Sequence, residues 1–334
     1  MIRLSALDQS PISDGSTAVE ALAQTGRLAV ELERLGYHRL WVSEHHHTYS
    51  LAGSSPEVLI SHLAAITKQI RVGSGGVMLP HYSPYKVAEN FRVLEALYPG
   101  RIDLGLGRAP GGMPLATRAL QGGRLTGVDS YPDQLDDLIG YLHDSLDERH
   151  PFAQLKATPI VETAPEMWLL GSSGDSAKLA AERGVAFAFA AFINGDGGDR
   201  VTRWYQQNFQ PSILGDKPKS MVAVFAVCAE TEEEANRQAS SIDLSLLLLE
   251  KGIMRDKGTP TVEEALDYPY TEYDLYRIKE NRKRIIVGDK EQVRAKILEL
   301  SEAYQTDEVM VATIVHDFEA KLRSYQLLAE AFPQ

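Results

Sequence analysis

The stretch Glu166–Phe189, EMWLLGSSGDSAKLAAERGVAFAF, holds a whole structural unit. Glu166–Leu170 predicts a short apolar strand, Asp175–Arg183 a helix, and Val185–Phe189 the next strand. Gly171-Ser172-Ser173-Gly174 turns the chain into the helix and Gly184 ends it. A strand, a helix and a second strand in immediate succession are the repeating unit of a parallel α/β fold.

The same rhythm extends in both directions. Ile2–Leu7, Arg39–Val42, Ile70–Gly73, Ile102–Gly107, Ser220–Cys228 and Glu308–Ala312 read as strands. Thr17–Leu35 carries Val19, Leu22, Leu28, Leu32 and Leu35 near helical spacing, and Gly36 stops it. Pro56–Thr67, Pro84–Leu97, Ser130–Leu142, Asp199–Phe209, Thr231–Lys251 and Phe318–Ala331 read as further helices. Eight strands alternating with helices predict a (β/α)8 TIM barrel, with a doubly wound sheet as the rival arrangement. Nothing divides the chain, so residues 1–334 are expected to form one domain. Two irregular excursions interrupt the rhythm, Ala109–Gly127 and Lys257–Ile285, the second an insertion before the last strand.

Composition narrows the function. The 334 residues carry a net charge of −12, with 44% hydrophobic and 24% charged residues. That acidity, without a dense basic stripe, argues against nucleic acid as a partner. The sole cysteine, Cys228, excludes an internal disulfide and a cysteine-rich zinc site. MIRLSALDQS lacks the features of a signal peptide, and no apolar run is long enough for a membrane span, so a cytoplasmic protein is expected.

In a barrel, the loops after the strands meet at one rim. Gly171-Ser172-Ser173-Gly174 lies there, just before a helix. Its hydroxyls and the free helix-end amides suit a phosphate, or else Ser172 or Ser173 simply caps the helix. Arg108 follows strand four and offers a forked donor to the same anion, or a partner for a salt bridge. Its context, GLGRAPGG, lacks the spacing of a dinucleotide fingerprint. Strand two runs into Glu44-His45-His46-His47. Adjacent extended residues face different ways, so the three histidines do not converge on a metal, and none is expected. One of them suits proton transfer at a barrel mouth, or a local tie to backbone or Glu44.

Together, LDQSPI (7–12), WVSEHH (41–46), VGSGGVMLPHYSP (72–84), PGRIDLGLGRAPG (99–111) and WLLGSSG (168–174) resemble the bacterial luciferase-like flavin-dependent monooxygenases, in this order and over essentially the whole chain. The resemblance implies a barrel that takes reduced flavin mononucleotide (FMN) from a separate NAD(P)H-dependent flavin reductase in transient contact. Molecular oxygen would then form a C4a-peroxyflavin that oxidises a small organic substrate. Carried over by position, His45 is the expected catalytic residue. Gly75 and Gly76 lie beneath the flavin ring, where the family can carry a non-prolyl cis peptide. Arg108, Ser172, Ser173 and Gly174 hold the phosphate. Met78, Leu106 and Phe192 are candidates for an apolar substrate patch. Segment 257–285 corresponds to a mobile insertion near the active site, and a homodimer is the implied assembly. Gly107 stands where light-emitting members have a reactive cysteine, which argues against efficient light emission. Two alternatives accompany this reading: an oxidoreductase using the deazaflavin F420, and a non-catalytic flavin-binding protein.

Overall fold

A computed structural model of the chain describes residues 2–108, 114–123, 130–253 and 255–333. The elements in order are β1 (Arg3–Asp8), α1 (Ala18–Arg34), β2 (Arg39–Val42), α2 (Pro56–Ile66), β3 (Arg71–Met78), α3 (Pro84–Leu97) and β4 (Ile102–Gly107). There follow α4 (Pro114–Leu120), α5 (Tyr131–His143), β5 (Glu166–Gly171), α6 (Gly174–Arg183), β6 (Ala186–Ala190), α7 (Gly198–Asn208) and β7 (Ser220–Cys228). The chain ends with α8 (Glu232–Glu250), α9 (Val262–Asp267), α10 (Glu272–Arg282), β8 (Ile285–Gly288), α11 (Lys290–Tyr304), β9 (Glu308–Ala312) and α12 (Phe318–Ala331). Among the described residues no helix is long and apolar enough to cross a membrane.

Strands β1 to β7 pair in succession, all parallel, and β9 joins β7 back to β1. Eight strands thereby close into the expected (β/α)8 barrel, and closure rules out the open doubly wound sheet. β8 is a ninth, accessory strand. Phe225 of β7 pairs with Ala312 of β9 on one side and with Ile285 of β8 on the other. β6 accompanies β7 only as far as Ala223, so β8 takes up that edge where β6 leaves it.

The insertion Lys257–Ile285 is more regular than its sequence reading. It contains α9 and α10 and leads into β8 and α11; the basic run Arg277–Arg284 reads from sequence as a solvated helix face and overlaps α10, while α9, β8 and α11 were not expected. Local capping explains these helices. Thr261 caps α9, while Thr271 with Asp274 and Asp289 with Gln292 form reciprocal boxes that satisfy the first amides of α10 and α11. Of the other excursion, 114–120 forms α4, while 109–113 and 124–127 lie outside the described residues.

Strand alternation sorts side chains between two compartments. Leu4, Leu40, Val72, Leu104, Leu106 and Leu169 point outward into the layer between barrel and helices. Leu7, Trp41, Trp168, Ala188, Ala223 and Met310 fall in a second cluster inside the barrel. The barrel floor is ionic. Arg39 lies buried with its guanidinium on Asp103 at 2.7 Å and Glu308 at 2.7 Å, and 3.3 Å from Glu166. Burial alone would lower the basicity of Arg39, but the three carboxylates hold it above the ordinary value. Asp103 also accepts the indole N–H of Trp41 at 2.9 Å. The floor therefore orients a residue whose other face looks toward the opposite end.

Candidate active site

That opposite end, where the strands finish, holds a cavity of about 200 Å³. Its room comes from the inward residues of adjacent strands. In Ile102-Asp-Leu-Gly-Leu-Gly and Ala186-Phe-Ala-Phe-Ala every second residue past the floor is Gly or Ala. Phe187 and Phe189 point out into the helix layer, while Gly107, Ala188 and Ala190 line the cavity. Leu7, Trp41, Leu170 and Met310 supply apolar wall.

Gly75 and Gly76 lie in the last half of β3, in this wall, and are joined by a cis peptide bond. Neither site has room for a side chain. A Cβ on Gly75 would meet a Leu7 methyl at 2.9 Å and Trp41 at 3.1 Å. One on Gly76 would lie 2.7 Å from the Gly105 carbonyl oxygen and closer still to the Leu170 methyl.

Arg108, Ser172 and Ser173 stand together on the rim, and Gly174 opens α6 beside them. Ser173 occupies the N-cap position in extended conformation, but its side chain makes no cap hydrogen bond. The first-turn amides of α6 face the rim without a serine capping them, the arrangement that favours an anion. Asn194, after β6, donates to the Ser172 carbonyl at 3.4 Å and braces the turn. Arg108 Nη2 lies 3.6 Å from Asp175 Oδ2, with both side chains well exposed.

His45 is placed differently from the other predicted residues. It follows β2, but it is not among the side chains lining the cavity. Its backbone N–H donates to the Gly53 carbonyl at 2.9 Å and its Nδ1 lies 3.0 Å from the Ser43 hydroxyl. Burial, followed by the neighbouring His46, lowers its pKa to about 4. At neutral pH the ring is therefore an uncharged and only weakly basic imidazole.

The neighbouring residue Glu44 organises the region more than the sequence suggested. It is fully buried and accepts from the Met78 amide at 3.0 Å, the Tyr82 hydroxyl at 2.8 Å and His46 Nε2 at 2.7 Å. One carboxylate thus ties the histidine loop to the end of β3. Met78 and Phe192 line the cavity as expected, but Leu106 does not. Alternation turns Leu106 into the barrel–helix layer between inward Gly105 and Gly107. Tyr82 and Met310 went unrecognised. The only sequence signal for Met310 was its alternate position within Glu308–Ala312.

The donors on the rim fit a phosphate monoester, and the apolar lumen fits a flat, poorly hydrated ring system joined to it. The family model described as luciferase-like monooxygenase matches residues 2–307. The chain is 59% identical over 332 residues to the uncharacterised protein YwcH of Bacillus subtilis (strain 168), covering 99% of each. It is 41% identical over 332 residues to the N-acetyl-S-alkylcysteine monooxygenase of the same organism, covering 99% of this chain and 98% of the relative. Among solved structures, apo-MsnO8 superposes with a TM-score of 0.89 at 36% identity, over 99% of this chain and 98% of that one.

Proposed function

The chain belongs to the luciferase-like monooxygenase family, and we propose that it binds reduced FMN at the barrel mouth and uses molecular oxygen to oxidise a small organic substrate. The observation that carries this reading is the uncapped N-terminus of α6 standing beside Arg108 above an apolar lumen. Arg108, Ser172, Ser173 and the α6 amides hold the phosphate. Gly75 and Gly76 bring backbone, rather than side chains, against the ring. Once bound, the flavin would supply the redox chemistry that activates molecular oxygen.

The chain's own residues orient and shield that chemistry. Trp41, Leu170 and Met310 keep the lumen apolar and displace water. His45, uncharged at neutral pH and set behind the cavity lining, is assigned by its family position to managing protons as oxygen is activated and consumed. Segment 257–285 closes over the site. Arg284, just beyond α10, already donates to the carbonyls of Phe192 and Ile193 in the cavity wall, at 3.1 and 2.6 Å. A flavin reductase supplies reduced FMN in transient contact. Two copies pair through the amino-terminal helices, where Val58 and Leu97 are exposed. A relative that is named for N-acetyl-S-alkylcysteines makes a small alkyl thioether the first substrate to test.

The test couples the protein to an NAD(P)H-dependent flavin reductase under ¹⁸O₂ and follows an alkyl thioether by mass spectrometry. One labelled oxygen in the product, dependent on FMN, is expected. Labelled product from no member of a panel of thioethers and aldehydes, with peroxide as the sole oxygen product, contradicts the monooxygenase reading.

A further inference from the structure

The rim that fits a phosphate also contains a carboxylate that opposes one. Asp175 is the second residue of α6 and 78% exposed, and its Oδ2 lies 3.6 Å from Arg108 Nη2. A carboxylate in a helix's first turn is favoured by the same amides and the same dipole that would favour a phosphate. Asp175 thus draws on both parts of the anion site, the helix end and Arg108. An incoming phosphate must take Arg108 away from Asp175 and then stand close to a residual negative charge.

We propose that Asp175 sets the affinity of the site for the cofactor phosphate. It partners Arg108 in the empty site and repels the phosphate in the filled one, so that the cofactor is held loosely enough to exchange. The inference rests on the phosphate assignment made above. Exposed ion pairs are weak, so Arg108 parts from Asp175 at little cost and the site still fills. The brace from Asn194 to the Ser172 carbonyl involves neither side chain of the pair. Removing the Asp175 charge therefore leaves the turn in place. Loose binding suits a cofactor that arrives reduced from another protein and departs oxidised.

Sign separates this role from ordinary helix stabilisation. If Asp175 only supports the first turn of α6, its loss weakens the helix and brings no gain in affinity. If it opposes the phosphate, its loss tightens binding. The test measures dissociation constants of oxidised FMN and of riboflavin, which lacks the phosphate, by flavin fluorescence. The variants are Asp175→Asn, Asp175→Ser and Arg108→Gln. Both Asp175 variants are expected to bind FMN roughly fivefold more tightly, the scale of one partly screened charge at this range, with riboflavin affinity unchanged. Arg108→Gln is expected to weaken FMN alone. Unchanged or weaker FMN binding in both Asp175 variants, with Arg108→Gln still weakening FMN, overturns the proposal and leaves the phosphate assignment standing. If Arg108→Gln leaves FMN affinity at the wild-type value, the phosphate assignment fails and the role of Asp175 fails with it.

Discussion

Replacing His45 by glutamine should remove a defined component of the protein's acid sensitivity. Burial, then His46, brings the imidazole from the ordinary 6.5 to about 4. The unfolded chain therefore takes up a proton at pH values where the folded chain does not. Between pH 6.5 and 4 the unfolded state binds more protons, so stability falls as pH falls. At roughly 1.4 kcal/mol per pH unit, His45 accounts for about 3 kcal/mol lost across that window, and for no further loss below pH 4. Glutamine keeps a polar side chain near Ser43 and does not titrate. Urea unfolding of both proteins at pH 7, 6, 5 and 4.5 isolates the effect, because the other histidines whose pKa burial lowers, His38, His81 and His143, cancel in the difference. The stability of wild type relative to variant should drop by about 1.4 kcal/mol per unit below pH 6.5. Parallel pH profiles would refute the claim that His45 is held neutral by its burial.

Gly76→Ala places a methyl against the Gly105 carbonyl, so backbone must move. A loss of about 1–3 kcal/mol by thermal unfolding, with weaker FMN binding, is expected. Arg39→Met leaves Glu308 buried without its close cation and Asp103 with Arg71 alone. It should cost about 3–5 kcal/mol at pH 7, read from urea melts. Leu106→Ala should cost about 2–5 kcal/mol of stability without changing FMN affinity in a fluorescence titration, because its side chain faces the helices.

The barrel was legible because each barrel strand carries a short apolar run and the turns between strand and helix are marked by glycine or capping residues. The lumen was written in the same strands, as alternate Gly and Ala in Ile102–Gly107 and Ala186–Ala190. It passed unread because small residues in a strand also read as ordinary packing. The bounds of the insertion's helices escaped, beyond the basic helix face of Arg277–Arg284, because α10, Glu272–Arg282, buries only Asp274 and Asn281 and has little apolar periodicity. Its capping box, Thr271 with Asp274, was the available signal. The orientation of His45 depends on local ties to Ser43 and Gly53 that strand periodicity does not encode. The approach of Asp175 to Arg108 exists only once β4 and β5 lie side by side.

The central claim, that the barrel mouth is a reduced-FMN site, is open to one direct measurement. Trp41 lines the cavity, and its ring lies 5.6 Å from that of Trp168, so tryptophan emission reports on an occupant. Anaerobic titration with reduced FMN and, separately, reduced F420 should give saturable quenching by FMN at concentrations where F420 has little effect. Preferential quenching by F420 would contradict the account and transfer the site to hydride chemistry, and quenching by neither would remove flavin from this cavity.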